Sequence, residues 1–310
     1  MIDRVVHPAE GENLETALRH ELAQADAMAE AARPVLRQLV AAGSSQPLAD
    51  EVIARIRGML DGVVRTLLDT FSEPGATDAE PLARALIDCP ALLSHLHALA
   101  VEWRIAEQLQ VRLALDPVVP PLLEELVSRD DTTLRNPAAK FLGAQARWCH
   151  LQRHMRVSLV DLPGELFENV LRIAHTQLAR PGGAEAAAKN EAELRKRHDE
   201  TDRRLELARQ LVSGLEGGVQ SALSISQAGV TLFLTALAMG SGLDRQAAVL
   251  STDEAQLARL ALALRSAGLE AAEIQRQLLA LHPETVLPSG LGSLDSSLAT
   301  TLLDSGHGRA

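Results

Sequence analysis

Apolar residues recur along most of the chain at intervals of three and four, which is the spacing of one face of an α-helix. The clearest case is the segment 48–71, whose apolar stripe consists of Val52, Ile56, Met59, Leu60, Val63 and Leu67. Similar segments alternate with short runs of Gly, Pro and Ser, which are typical of turns. The pattern predicts an all-α fold in which antiparallel helix pairs form a bundle or a degenerate helical-repeat stack.

The strongest interruption of the helical pattern is the sequence RPGG at residues 180–183. Since Pro and Gly end helices, this segment predicts a boundary between an N-terminal helical domain, residues 1–180, and a C-terminal helical domain, residues 184–310. The second domain is expected to open with one long helix over residues 185–216, about 50 Å in length.

The predicted long helix carries a seam of the kind found in coiled coils. The seam positions follow steps of four and three and include Leu194, His198, Thr201 and Leu205. We predict that these four residues contact another protein, or a second copy of this chain in a homodimer. The alternative is a surface helix whose second half packs against its own domain.

Local signals predict how other helices begin and where one is buried. Asp161 is expected to cap a helix over residues 161–179, and Ser251 with Glu254 has the spacing of a capping box. The most apolar run, residues 228–240, is well short of the about 20 residues that a membrane span needs. It therefore predicts a buried core helix.

Composition and charge narrow the functional classes. The chain has four Phe, two Trp and no Tyr, so its apolar mass is mostly Leu, Ala and Val. A net charge of −11 repels phosphate backbones, and few aromatic rings are present to stack on bases, so we predict no nucleic-acid partner. Cys89 and Cys149 are too few for a disulfide framework, and the first residues lack the apolar stretch of a signal peptide. We expect a cytoplasmic protein with no membrane partner.

The sequence WCHLQRH contains two histidines one helical turn apart. His150 and His154 could share one metal ion, with a third or fourth ligand from elsewhere in the chain. Two arginines flank them and raise the cost of a cation, whereas Cys149 projects about 100° away on the helix. The alternative is a solvated or interface-facing pair of histidines. We predict no cofactor.

A second histidine hypothesis concerns the first helix. His20 is followed by Glu21, and this pair resembles the phosphoacceptor helix of histidine kinases, where an exposed imidazole stands beside an acid. The downstream proline of that motif is missing, and no ATP-binding domain with Asn- and Gly-rich boxes follows. The alternative is an ordinary surface histidine of an amphipathic helix.

One C-terminal segment, residues 231–282, combines regularly spaced apolar residues with a few glycines. Its distinctive positions are Phe233, Leu237, Gly242, Leu243, Arg245 and the run ALRSAGL at residues 263–269. The segment resembles the C-terminal part of a bacterial family of unknown function that is built from HEAT-like helical repeats. The resemblance implies a helical-repeat fold, and it implies no catalytic residue, because the family pattern has none.

Together these features favour a non-catalytic helical scaffold or adaptor that mediates protein–protein interaction and has a regulatory role. We predict no catalytic residue and no enzyme, since the chain has neither a Gly-rich phosphate loop after a strand nor the spacing of a nucleophile elbow. Two alternatives stay open. One is a helical bundle that binds a metal or small molecule near His150 and His154, and the other is a phosphorelay protein with His20 as the acceptor.

Overall fold

Every regular element that the computed structural model describes is a helix. The structure describes residues 12–41, 51–71, 79–178, 184–200, 202–284 and 295–307. The α-helices are α1 (Glu12–Ala41), α2 (Glu51–Phe71), α3 (Ala79–Ile87), α4 (Pro90–Leu113), α5 (Pro121–Ser128), α6 (Thr132–Arg153), α7 (Gly164–Leu178), α8 (Ala184–Glu200), α9 (Arg204–Gly214), α10 (Ile225–Ser241), α11 (Arg245–Leu250), α12 (Leu257–Ser266), α13 (Ala271–Leu281) and α14 (Ser296–His307). These described ranges contain no β-strand, which confirms the all-α class.

The predicted apolar stripes are the buried faces of helices. All six apolar residues of the α2 stripe are buried. The apolar run 228–240 lies in α10, where Phe233, Leu234 and Leu237 have no exposed surface, so the predicted core helix is confirmed. Complete burial of one such side chain is worth about 2 kcal/mol, and packing of this kind, rather than helix propensity, holds the helices in place.

The apolar side chains form two large cores. The first core lies among α2, α3, α7 and the N-terminal half of α4. The second contains side chains from the C-terminal half of α4, from α5 and α6, and from α9 to α14. A small third group, Trp103, Trp148 and Cys149, lies where α4 passes from one core to the other. Helix α4 therefore connects the two cores.

The packing does not follow the predicted division into residues 1–180 and 184–310. Helices α5 and α6 precede that boundary, yet they share the second core with α9 to α14. Leu194 of α8 follows the boundary, yet it is buried in the first core. The division differs because α4 contributes side chains to both cores, which no local break in the sequence indicates.

The single helix predicted over residues 185–216 is wrong. α8 ends at Glu200 and α9 begins at Arg204, and between them Arg203 has an extended backbone, with φ −73° and ψ 132°. The break has a packing reason, since Leu194 of α8 is buried in the first core and Ala208 of α9, another seam position, is buried in the second. One straight helix would present both residues along a single seam.

Two predicted helix starts are also corrected. Asp161 ends a short 3-10 turn, and α7 begins only at Gly164, because the chain is extended before Pro163. Asp253, rather than Ser251, caps the turn before α12, because its carboxylate accepts a hydrogen bond from a backbone amide two residues ahead.

A membrane-spanning helix needs about 20 mostly apolar residues in one run. Within the part of the chain that the structure describes, no single helix combines that length with that composition. Helices α3 and α4 meet the requirement only when taken together, and they are bent by 82° relative to each other.

Helix α10 is kinked at Gly229. Its backbone, with φ 71° and ψ 168°, lies in a region that glycine alone adopts readily. A Cβ atom at this position would lie 2.7 Å from Cγ of Pro120, which precedes α5. The kink therefore lets α10 approach the start of α5 closely, and it comes two residues before Thr231, a member of the buried cluster described below.

We expect Gly229→Ala to lower the free energy of unfolding by about 2 kcal/mol or more, because it combines backbone strain with a steric clash. The control is Gly62→Ala in α2, where an added Cβ meets no atom within 4 Å. Helix propensity predicts a gain of about 0.5–1 kcal/mol for that control. Urea unfolding measures both changes. A Gly229→Ala variant as stable as the wild type would show that the close approach is not needed.

Candidate functional site

Glu102 of α4 is the centre of a buried charge cluster. The residue is 1% exposed. Its Oε1 accepts a hydrogen bond of 2.7 Å from Nη1 of Arg204, and its Oε2 accepts one of 3.1 Å from Nη2. The hydroxyl of Thr231 donates to the same Oε1 over 2.8 Å. A two-pronged arginine–carboxylate contact of this kind is among the strongest polar interactions in proteins, and it fixes the orientation of both groups.

A second guanidinium group, that of Arg245, lies beside the same carboxylate. Its Nη2 is 3.2 Å from Oε2 of Glu102. The Nε, Nη1 and Nη2 atoms are nevertheless buried without a hydrogen-bond partner, so the contact is an ion pair whose angle does not suit a hydrogen bond. Burial lowers the pKa of Arg245, and the charge of Glu102 partly offsets this effect. One buried carboxylate thus faces two guanidinium groups.

The start of a helix positions each arginine. Arg204 is the first residue of α9 and Arg245 is the first residue of α11. Because helical side chains lean toward the N-terminus of their helix, an arginine at the first position reaches beyond the end of its own helix. Asp244 fixes the start of α11, since its Oδ1 accepts a hydrogen bond of 2.8 Å from the amide of Ala247.

Aromatic rings extend the cluster toward α2. The guanidinium carbon of Arg204 lies 3.9 Å from the ring centroid of Trp148, which is the geometry of a cation–π contact. Trp148 meets Trp103 edge to face, with centroids 5.7 Å apart. The guanidinium carbon of Arg55, on α2, lies 5.5 Å from the centroid of Trp103. A continuous column of charged and aromatic side chains therefore runs from the second core to the first.

Opposing effects set the charges of the cluster. Burial alone would raise the pKa of Glu102, but the charges of Arg204 and Arg245 and the hydrogen bonds to the carboxylate lower it to about 2. His95, two helical turns before Glu102, is 7% exposed. Burial first, and then the charge of Arg204, lowers the pKa of His95 to about 4. At neutral pH the cluster thus holds two positive charges, one negative charge and a neutral imidazole.

A cavity of about 330 Å³ lies beside the cluster. Its polar wall includes Glu102, Arg245 and His95, and the remaining wall is largely apolar, with contributions from Ala98, Leu99, Pro163, Leu205 and Val249. This volume is near the lower end of the range for small-molecule sites, about 300–1,000 Å³. Asp244 and Gln246 complete the described wall.

The predicted metal ligands lie away from this cluster. His150 and His154 are exposed, and their rings meet edge to face with centroids 4.9 Å apart. α6 ends at Arg153, so His154 is the residue after the helix. No group of three or more His, Cys, Asp and Glu among the described residues could hold a metal ion. The structure therefore gives the two histidines no further protein ligand, and the metal hypothesis gains no support.

Cys149, the neighbour of His150, is buried on a different side of α6. Its Sγ lies 3.7 Å from the carbonyl oxygen of Pro117 and 3.8 Å from Nε2 of Gln145. Burial raises the pKa of this thiol to about 12. The thiol is therefore protonated at neutral pH, and its buried position separates it from the two exposed histidines.

Two of the four residues predicted to contact a partner pack instead on their own chain. Leu194 is buried in the first core. The ring of His198 stacks on Phe167, with centroids 4.0 Å apart, and its Nε2 lies 3.1 Å from a backbone carbonyl oxygen before α7. Leu205 is half-buried in the cavity wall, and Thr201 lies outside the described residues. Leu194 and His198 are therefore not exposed in this structure, and contact of these residues with a partner stays a prediction.

Exposed apolar side chains lie along one face of α1. Met28 is 53% exposed, Val35 52% and Leu39 38%. With the exposed Ala31 and Ala32 they form one face of the helix, which we call the α1 stripe. A groove of about 600 Å³ lies between α1 and α3, and other residues of α1, namely Pro34, Arg37, Gln38 and Ala41, line it. The α1 stripe is the most extensive run of exposed apolar side chains on one helix of the described chain.

His20 is exposed on α1, and so is the adjacent Glu21. Exposure of the imidazole beside an acid is what the phosphoacceptor hypothesis requires. Nothing else in the structure bears on phosphate transfer to His20, and this hypothesis stays a prediction.

Sequence reasoning missed the Glu102 cluster, although one signal of it is visible. Glu102 is the only charged residue in the apolar stretch ALAVEW, residues 98–103, and a carboxylate in a core helix needs a partner. The partner itself has no local signal, because Arg204 lies 102 residues further along the chain.

Comparison of the chain with protein-family models, with curated proteins and with solved structures finds no match. The resemblance of residues 231–282 to a HEAT-like repeat family therefore stays a prediction.

We expect His95→Gln to weaken the acid sensitivity of the fold. In the wild type the unfolded chain takes up a proton at the imidazole near the ordinary pKa of 6.5, whereas the folded chain does so only near pH 4. Stability is therefore lost as pH falls from about 6.5 to 4, by up to about 3 kcal/mol. Urea unfolding at pH 7 and pH 4.5 measures this loss in both proteins.

The contribution of Glu102 does not disturb this comparison. The pKa of Glu102 is lowered in the folded state, so its stabilising effect is present above pH 4.5 and is lost as pH falls toward 2, in both proteins alike. An equal loss of stability in wild type and His95→Gln between pH 7 and pH 4.5 would contradict the buried, neutral state of His95.

Proposed function

We propose that this chain is a non-catalytic helical adaptor that docks an amphipathic helical segment of another protein on the α1 stripe. The observation that supports the proposal is the exposure of Met28, Val35 and Leu39 on one face of α1. Exposed apolar side chains that are contiguous on one helix face are candidate interaction sites.

The spacing of the α1 stripe favours a helix as the occupant. Met28, Ala32, Val35 and Leu39 follow steps of four, three and four, the spacing by which one helix inserts its side chains between those of another. The two alanines between the larger side chains leave room for side chains of the partner. Packing of one helix on another in this way lets a few apolar anchors supply most of the affinity.

The size of the α1 stripe favours another protein over a permanent second copy. The stripe is about three helical turns long, or about 16 Å. Two such stripes would bury only a few hundred Å², whereas stable interfaces bury about 1,200–2,000 Å² in total. A short docking segment, bound reversibly, suits the available surface.

Charge defines the partner further. The chain carries a net charge of −11, and the exposed Glu21 continues the face of the α1 stripe toward the N-terminus of α1. A segment with Lys or Arg beside its apolar face would be attracted by the field of the whole protein, and one such residue would lie opposite Glu21.

Site-specific cross-linking tests the proposal. A photoreactive amino acid replaces Val35 in the full chain, and Val111, an exposed residue near the end of α4, is replaced in the control. After irradiation in a lysate of the source cells, the cross-linked segment is mapped and synthesised as a peptide. We expect a basic amphipathic helix that binds the wild type and Val111→Glu equally, and binds Val35→Glu at least about tenfold more weakly.

Three outcomes would overturn the proposal. The cross-links from positions 35 and 111 could be the same, the mapped segment could be acidic or non-helical, or it could be α1 of a second copy. The last result would assign the α1 stripe to self-association, and light scattering of wild type and Val35→Glu would then show the difference in mass.

A further inference from the structure

The Glu102 cluster contains more positive than negative charge in its ion pairs. Both oxygens of Glu102 are used by Arg204, which leaves Arg245 with a single ion-pair contact and three nitrogens without a hydrogen bond. Buried guanidinium donors without acceptors cost free energy, and the cost is recovered when an acceptor binds. Within the cluster Arg204 therefore has hydrogen-bond acceptors, whereas the nitrogens of Arg245 lack them.

Arg245, whose nitrogens lack hydrogen-bond acceptors, borders the cavity. The side chain of Arg245 is 20% exposed and forms part of the cavity wall, while its nitrogens are covered by protein atoms. Contact between these nitrogens and a ligand in the cavity requires the Arg245 side chain to change its rotamer, and the proposal below includes this change. His95 also lines the cavity and is neutral, so it adds a ring nitrogen that can donate or accept a hydrogen bond without adding charge.

We propose that this cavity binds a small monocarboxylic acid that has an apolar tail or ring, with the carboxylate held by Arg245. The planar fork of a guanidinium matches the two oxygens of a carboxylate, and both bonds of such a pair can form at once. The apolar remainder of the ligand would contact Leu99, Leu205 and Val249. This site is independent of the α1 stripe and of the adaptor role proposed for it.

The surrounding charges favour a singly charged ligand. The buried ion pairs of Arg204 and Arg245 with Glu102 leave an excess of one positive charge, which one carboxylate neutralises, while Asp244 at the wall is exposed to solvent. A phosphate ester would bring a second negative charge close to the buried Glu102. The largely apolar wall also fits a hydrocarbon group better than a hydrated phosphate or sulfate ion.

Calorimetric titration of the full chain tests the site with four probes. Hexanoate and benzoate carry the proposed carboxylate on a chain and on a ring. Hexanamide has the shape of hexanoate without its charge, and inorganic phosphate has charge without an apolar part. We expect at least one of the two carboxylates to bind at millimolar concentration or below, and hexanamide and phosphate to bind at least about tenfold more weakly.

Three variants separate binding from folding. Arg245→Met removes the guanidinium while Arg204 still neutralises Glu102, so the variant should be at least as stable as the wild type and should lose at least about tenfold in affinity. Leu205→Trp fills the cavity with all charges retained and should also lose binding. Arg209→Met removes an exposed arginine paired with Glu206 and should bind like the wild type.

The proposal is overturned by any of several results. Neither carboxylate binds the wild type, hexanamide binds as tightly as hexanoate, or Arg245→Met retains full affinity. A strong loss of stability in Arg245→Met would equally contradict it, because Arg245 would then be a structural counter-charge rather than a group that awaits a ligand.

Discussion

Moving a carboxylate from water into a protein interior is costly, and this fold compensates that cost at Glu102 mainly with the guanidinium group of Arg204 and the hydroxyl of Thr231, with Arg245 as a second positive charge nearby. The groups come from α4, α9, α10 and α11, so formation of the cluster requires these helices to be packed together. Through Arg204, Trp148 and Trp103 the same contacts continue to Arg55 of α2. Hydrophobic contacts are non-directional, so these contacts alone would allow small shifts of one core relative to the other. The column of polar and aromatic contacts is directional, and we infer that it fixes their relative position.

The unequal use of the two arginines by Glu102 is also the origin of the proposed ligand site. Arg204 satisfies Glu102 fully, and the second arginine is therefore left with unused donors beside a cavity. The α1 stripe has a different origin: α1 buries Leu18 and Leu22 in the second core and Val40 in the first, and Leu36 packs against the first core, whereas Met28, Val35 and Leu39 stay exposed. The proposed ligand site and the proposed docking surface thus follow from two unrelated features of the packing.

Local periodicity was sufficient to predict helices such as α2, because apolar residues at intervals of three and four share one face only when the segment is helical. It was not sufficient to predict how helices share cores. The sequence of α8 and α9 predicts one helix because Leu194 and Leu205 have coiled-coil spacing. The helix is instead interrupted at Arg203, and α8 and α9 pack in different cores. The candidate site was harder to predict from the sequence. Glu102 can be recognised as an isolated acid in an apolar helix, but its partners are distant in sequence. His150 and His154, which the sequence suggested as metal ligands, are exposed on the surface.

The most direct test of this account is hydrogen exchange of Glu102→Gln, compared with wild type and with Glu125→Gln, which removes the charge of an exposed pair with Arg129. Loss of the buried carboxylate leaves two guanidinium groups without a counter-charge and should lower the opening free energy by about 3–5 kcal/mol, against less than about 1 kcal/mol for the exposed pair. The account predicts that amides of α2, in the first core, and of α12, in the second, lose protection together. Glu102→Gln with nearly wild-type protection, or with protection lost in one core alone, would contradict it.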